Sequence, residues 1–413
     1  MNYSPFVEKY CGKNLKNIRI VEGKWDYASK ELFLVQSGRR DGDGVDISHA
    51  VNKMLDMAIR RRASDIHLQP QENQAQIKFR IDGRLIFWQN ITLEQLKAMV
   101  TRLKFIADMD IGETRVPQDG ALYHTFNQDR LQLRLSTMPT IYGEKLVIRI
   151  FPLQQERLAL AHLGFTPQQY EHLKRLIQLP HGLFLITGPT GSGKTTTLYK
   201  ILEVLAEQKD KNICSLEDPV EMRIPGLTQV QVNPHYGLTF AKGLRAMLRQ
   251  DPDVIFVGEI RDEETAEIAV RAALTGHLVL STLHTYDTVG AIVRLLEMGI
   301  KPYYVASALI GVISQRLFRL RCLTCYGQGC YQCFYTGYYG RRGVFEMLPI
   351  LKEIRIVIHQ GGEEERLRQA AAQLKIASLG QQLIRYQAID LTTTEECWGS
   401  LLADQHFHGT FQV

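Results

Sequence analysis

The chain has 413 residues, 45% hydrophobic and 23% charged, with 49 basic against 44 acidic side chains and a formal net charge of +5. This is an ordinary globular composition, long enough for two or three domains that each bury a core. The weak basic balance lacks the dense footprint of a dedicated nucleic-acid binder, so no direct nucleic-acid contact is expected. The start, Met1-Asn-Tyr-Ser-Pro5, has no basic stretch leading into an apolar one, and no signal peptide is read there. The longest apolar runs, near 183–187 and 305–313, are too short to span a bilayer. A cytoplasmic protein, at most peripheral at a membrane, is expected.

In chain order, residues 1–45 end in Arg39-Arg-Asp-Gly-Asp-Gly44, a charged glycine-rich break read as a linker after a short N-terminal remnant. Residues 46–152 mix helix and strand signals. Ile47, Val51, Met54, Leu55 and Ala58 share a helical face, and Ile77, Phe79 and Ile81 alternate with polar residues as a half-buried strand does. Asp82-Gly83 signals a hairpin into residues 85–88, while Leu131, Leu133 and Leu135 and then residues 145–151 read as further strands. This predicts an α+β domain, with a linker opening at Pro152.

Thr166, Pro167 and Gln169 form an N-cap, a first-turn proline and a capping box. Short apolar runs then alternate with amphipathic helices, the pattern of a parallel sheet with crossover helices. An α/β domain is predicted over 153–350, including a cysteine-rich element at 320–343, with a helical region over 351–413.

Four of the apolar runs end in chemistry. Residues 183–187 lead directly into Gly188, Pro189, Thr190, Gly191, Ser192, Gly193, Lys194 and Thr195, with Thr196 opening a helix. Strand, glycine loop, Lys-Thr and helix are the context a phosphate-binding loop requires. Glycines let backbone N–H groups close on phosphates, Lys194 brings a mobile charge, and the helix N-terminus adds partial positive charge. The Thr195 hydroxyl suits Mg²⁺. Residues 213–216 end in Glu217, residues 254–257 in Gly258-Glu259, and residues 278–282 are flanked by His277 and His284. Open α/β sheets bind ligands at strand carboxyl ends, where a carboxylate suits Mg²⁺ or an attacking water. Asp262 reads instead as the cap of an amphipathic helix striped by Ala266, Ala269, Val270, Ala273 and Leu274.

Cys322, Cys325, Cys330 and Cys333 form two Cys-x-x-Cys pairs, able to supply four thiolates to one Zn²⁺. Reduced or redox-labile cysteines are the other reading. The odd total of seven cysteines argues against a secreted disulfide scaffold, and Cys11, Cys214 and Cys397 read as packed residues.

From Ala63 to Glu346 the chain resembles the type II secretion and type IV pilus assembly ATPases. The resemblance rests on Ala63-Ser-Asp65-Ile-His67, Arg115-Val-Pro-Gln-Asp-Gly120, Gly143-Glu-Lys-Leu-Val-Ile-Arg149 and the glycine loop. It continues through Glu217-Asp-Pro-Val-Glu221, Leu248-Arg-Gln-Asp-Pro-Asp253, Gly258-Glu-Ile-Arg-Asp262 and Thr275-Gly-His277 onward to Thr285. It implies a RecA-like P-loop NTPase core behind an N-terminal α+β domain of PAS-like type, working as a homohexamer on ATP and Mg²⁺ between its two domains. Glu259 then acts on Mg²⁺ and water, Glu217 and Glu221 form an acidic box, and His277 and His284 sense the γ-phosphate or a neighbouring segment. Which of Glu217 and Glu259 is nearer to a general base stays open. Arg134 and Arg149, with Arg115 as a third, are the arginines expected to reach the phosphates.

The implied partner is an inner-membrane platform protein, whose rotation assembles a type IV pilus or a secretion pseudopilus. The cysteine element occupies the family's tetracysteine position with a shorter insert, and it favours the extension branch. Pilus retraction, a RecA-like nucleic-acid translocase and a nucleotide-gated scaffold are the alternatives. Long members carry a sizeable N-terminal recruitment domain where about 45 residues precede the match here.

Overall fold

The computed structural model describes residues 46–151 and 159–402. The expected remnant over 1–45, Cys11 and the linker opening at Pro152 lie outside the described residues. Two compact units divide between residues 157 and 158.

In the first unit, helix α1 (Ile47–Arg60) begins at Asp46, whose carboxylate accepts from the His49 N–H at 3.1 Å. It buries Val51, Met54, Leu55 and Ala58 of the expected face, together with Ala50, while Ile47 in its first turn is half-buried. Strands β1 (Ala63–Pro70), β2 (Ala75–Ile81) and β3 (Arg84–Ile91) follow, then helix α2 (Leu93–Ile106) and strands β4 (Gln118–Phe126), β5 (Asp129–Thr140) and β6 (Gly143–Ile150). They form one antiparallel sheet in the order β3-β2-β1-β6-β5-β4. Asp82 and Gly83 both take positive φ, 47° and 85°, as a two-residue hairpin turn demands. Lys104 of α2 is fully buried and satisfied by the Glu144 carboxylate at 2.6 Å and the Glu113 carbonyl at 2.7 Å.

The second unit opens with helix α3 (Pro167–Ile177), and both bonds of the Thr166/Gln169 capping box are formed. Strands β7 (Gly182–Thr187), β8 (Ile213–Glu217), β10 (Val254–Val257) and β11 (Leu278–Leu283) are buried along their whole length, as parallel strands covered on both faces should be. Helices α4 (Lys194–Ala206), α5 (Phe240–Met247) and α6 (Glu263–Leu274) lie between them, and α7 (Thr288–Glu297) and α8 (Pro302–Ala308) follow β11. Strands β9 (Leu227–Gln231), β12 (Leu309–Arg321) and β13 (Tyr338–Pro349) complete a seven-stranded sheet, β13-β12-β7-β11-β10-β8-β9, in which β13 alone is antiparallel.

After β13 come α9 (Lys352–His359), α10 (Glu364–Gln373), α11 (Leu379–Ala388) and α12 (Thr394–Leu402). Ile354, Ile358 and Leu367 join the principal core, while Leu379, Leu383 and Cys397 pack on Phe318 and Val344 of the β12–β13 hairpin. The region read only as helical is therefore built into the second unit. No helix among the described residues is long and apolar enough to cross a membrane.

Candidate nucleotide site and cysteine cluster

Strand register sets the site. Thr187, the last residue of β7, is level with Leu283, the last of β11, and Val257 of β10 is level with Leu216 of β8. The carboxyl ends of these four strands thus lie along one edge of the sheet. The loop 188–193, Glu217, Glu259 and His284 all follow or close strands at that edge.

Gly188, Gly191 and Gly193 take φ of 144°, 79° and 88°. These values and the crowding at Gly188, where an added Cβ would stand 2.5 Å from the Gln315 carbonyl oxygen and 2.8 Å from Ser192 Oγ, require glycine. α4 starts at Lys194 immediately after the left-handed Gly193, so its orphan N–H groups face the loop. Lys194 Nζ donates to the carbonyls of Gly188 at 2.7 Å and Pro189 at 3.0 Å. Burial, reinforced by the positive charge of Arg316, pulls its pKa down from 10.5 to about 8, against a smaller upward pull from Glu259. Ser192 Oγ is buried and makes no protein hydrogen bond among the described residues. Thr195 is half-buried and Thr196 exposed.

The two glutamates have different surroundings. Glu217 is 3% exposed and accepts from Tyr199 Oη of α4, from Ser215 Oγ at 2.5 Å and from Gln229 Nε2 at 3.1 Å. Burial and the anionic partner push the Tyr199 phenol far up, so it stays a neutral donor. Tyr199 Oη in turn accepts the Glu221 N–H at 3.0 Å, which ties the acidic box to α4. Glu259 is more open. Arg261 Nη2 lies 2.5 Å from one of its oxygens and His284 Nε2 lies 3.7 Å from the other. Burial and the charges of Lys194 and Arg261 lower the His284 pKa below 6.5, with Glu259 opposing, so its ring is neutral at pH 7. Gly258 permits this arrangement, because a Cβ there would stand 3.3 Å from the Leu216 carbonyl oxygen.

The two histidines do not converge within the chain. His277 precedes Leu278, which is level with Gly182, the first residue of β7. A six-residue strand therefore separates it from the loop edge, roughly 20 Å at about 3.3 Å per residue. Its Nδ1 bonds the Ala272 carbonyl at 3.0 Å.

In the first unit Arg134 of β5 and Arg149 of β6 stand directly opposite each other. Arg134 covers the Phe151 ring at 4.9 Å, and Arg149 reaches Asp65 at 3.1 Å. Like charges facing across a ladder repel. Arg115 is held by Glu113 at 2.8 Å, and its guanidinium brings the Glu113 carboxyl to about 2.

Sequence reading passed over Gln315 and Arg316. β12 pairs with β7 up to Ser314 opposite Thr187, then runs on beside the glycine loop. Gln315 Oε1 accepts from Thr197 Oγ1 at 2.9 Å, and Arg316 is 4% exposed. The available signal was a polar Ser-Gln-Arg triplet inside an otherwise apolar strand pattern.

The four cysteines sit in the β12–β13 connection. Their sulfurs are all within 4.8 Å of one another, with Cys322–Cys330, Cys325–Cys333 and Cys330–Cys333 separations of 3.8, 3.7 and 3.8 Å. These distances exclude disulfides. A tetrahedral centre with Zn–S of about 2.3 Å requires an S···S edge of about 3.8 Å. The Gly329 and Cys330 N–H groups point at Cys325 Sγ and Cys333 Sγ, 3.2 and 3.1 Å away, which favours thiolate. The donor set fits a structural Zn²⁺.

The model of a family described as "Type II/IV secretion system protein" matches residues 41–398. The chain is 45% identical over 362 residues to the type II secretion system protein HxcR of Pseudomonas aeruginosa, covering 86% of this chain and 77% of that one. It is 43% identical to the type IV pilus assembly ATPase PilB of Thermus thermophilus, covering 95% of this chain and about half, 47%, of PilB. Among solved structures it is similar to the ATPase DotB of Legionella pneumophila, with TM-score 0.67, 22% identity and coverage of 85% of this chain and 95% of DotB. The pilus retraction motor PilT with bound ADP is also similar, with TM-score 0.59, 27% identity and coverage of 84% and 96%. The fold is that of a RecA-like P-loop NTPase with an N-terminal α+β domain.

Proposed function

The chain belongs to the type II/IV secretion system protein family and is an ATP-hydrolysing P-loop enzyme, and from that premise we propose that it is a hexameric motor driving pilin-like subunits through an inner-membrane platform protein. The observation that carries this reading is the meeting of Lys194, Thr195, Glu259 and His284 at one sheet edge, in a chain nearly half identical to a secretion protein and to a pilus assembly ATPase.

In this reading the loop N–H groups and the α4 N-terminus grip the phosphates, and Lys194 leaves the Gly188 and Pro189 carbonyls for them. Glu259 orients the attacking water and accepts its proton. Glu217 already holds three donors, so its part is to fix Tyr199 and the acidic box rather than to serve as base. Neutral His284 can exchange a hydrogen bond with the terminal phosphate without adding charge. Thr195 and Glu259 present a hydroxyl and a carboxylate suited to Mg²⁺, which when bound offsets phosphate charge. Arg134 and Arg149, of which Arg149 rests on Asp65, can turn to a stronger polyanion. Drawn toward a triphosphate and released on hydrolysis, they make the first unit the moving arm, and rotation follows. Zn²⁺ on the four cysteines would brace the β12–β13 hairpin. The motor works in the cytoplasm against the inner-membrane face.

The cysteine element favours assembly over retraction. Gene deletion with imaging of surface fibres, secretion assays and DNA-uptake measurement tests the output: loss of one of these is expected, and full retention of all three would overturn it. ATP turnover stimulated by DNA with steep salt dependence would instead establish the translocase.

A further inference from the structure

We propose that Arg316 is a nucleotide-binding side chain that reads the terminal phosphate of ATP and couples it to the segment 284–288. The inference rests on the ATP site described above.

β12 outruns β7, so Arg316, still paired with Val344 of β13, stands beside the glycine loop rather than beside a residue of β7. Its Nη1 lies 3.2 Å from where a Cβ at Gly188 would stand, which places the guanidinium against the backbone of the loop's first glycine. Lys194 Nζ rests on the carbonyls of Gly188 and Pro189, at the same end of the loop. The loop lysine serves the β- and γ-phosphates, so that end faces the terminal phosphates. The Arg316 guanidinium and the Lys194 ammonium thus lie at the same end of the loop, two cations that a polyanion bound there meets together.

The guanidinium donates to the Gln315 carbonyl at 3.0 Å and the Tyr286 carbonyl at 2.6 Å, with Ser314 Oγ at 3.5 Å, and the buried Glu346 of β13 acts on it electrostatically. Phosphate oxygens make charge-assisted bonds roughly twice as strong as neutral ones, and the guanidinium fork matches their spacing. Tyr286 lies in a segment held at every residue. His284 faces Glu259, Thr285 bonds Thr187 at 2.7 Å, Asp287 pairs with Arg368 of α10 at 2.7 Å, and Thr288 donates to Glu346 of β13 at 2.6 Å. Exchanging the Tyr286 carbonyl for a phosphate oxygen frees one of these ties only while the terminal phosphate is present. ADP leaves it in place.

The test is calorimetric titration of the full chain with Mg²⁺ and either a non-hydrolysable ATP analogue or ADP. Arg316→Gln should weaken the triphosphate by roughly tenfold or more and ADP by less than about twofold. Equal losses, or none, would overturn the inference, since a merely structural arginine treats both nucleotides alike. If Arg316→Gln does not fold, Arg316→Lys preserves the charge but not the fork. A smaller triphosphate-selective loss then supports the inference and an equal loss overturns it. Lys194→Ala separates the two claims. Parent-like triphosphate binding in that variant would bring down the loop assignment and this inference together, whereas its loss alongside non-selective Arg316 variants would sink this inference alone.

Discussion

The Tyr199 hydroxyl donates to the Glu217 carboxylate, and this one bond ties the helix behind the nucleotide loop to the end of β8. Removing the hydroxyl leaves a buried carboxylate one donor short while Ser215 and Gln229 remain. Tyr199→Phe should cost about 1–3 kcal/mol of stability, the usual penalty for an under-satisfied buried group. Thermal or urea unfolding reads it, and a midpoint equal to the parent's would show that the bond contributes nothing.

Lys194 predicts a pH signature. Its folded pKa of about 8 lies below its usual 10.5, so between those values the folded chain holds fewer protons than the unfolded one. Its contribution to stability therefore rises with pH across that window, because the unfavourable buried charge is being discharged. Phosphate binding favours the charged form, so ATP affinity should fall as pH rises through about 8, by up to about tenfold per unit above it. Lys194→Arg should flatten the profile at pH 7–9. A parent profile already flat over that range would contradict the depressed lysine.

The sulfur geometry predicts about one zinc per chain by metal analysis of protein purified without added metal. Cys322→Ser should lose the metal and lower the unfolding midpoint, because the connection of the β12–β13 hairpin is then unclamped. A metal-free preparation with four titratable thiols in this loop and parent-like stability would refute the structural metal.

The facing pair Arg134 and Arg149 predicts a third phenotype. Substituting both by Gln removes the cross-strand repulsion but also the Arg149–Asp65 ion pair and the Arg134–Phe151 contact, so the first unit should lose modest stability, while turnover should fall by roughly tenfold or more. Parent-like phosphate release from the double variant would assign both side chains to the surface.

Much of this was legible in the sequence where the signal is local. The capping box at Thr166 and Gln169, the Asp262 cap accepting from the Thr265 N–H at 2.8 Å, and the buried runs of β7, β8, β10 and β11 stand where spacing put them. The loop motif was legible for the same reason. Non-local facts were not. His277 and His284 are neighbours in sequence, but a whole strand carries them to opposite sheet edges. Arg316 stayed hidden because a Ser-Gln-Arg triplet in an apolar run reads as a solvent-facing strand end, and only the run of β12 past the end of β7 shows these residues buried beside the loop. Glu217 and Glu259 looked alike as carboxylates after strands; their hydrogen-bond partners distinguish them.

The most direct measurement is phosphate release by the full chain with Mg²⁺ and ATP, beside Glu259→Gln under the same conditions. The parent should turn over ATP and the variant should bind it while losing at least about 100-fold in rate, as expected for a residue that positions the water and takes its proton. Parent-like release by the variant, or none by the parent in any oligomeric form, would contradict the account.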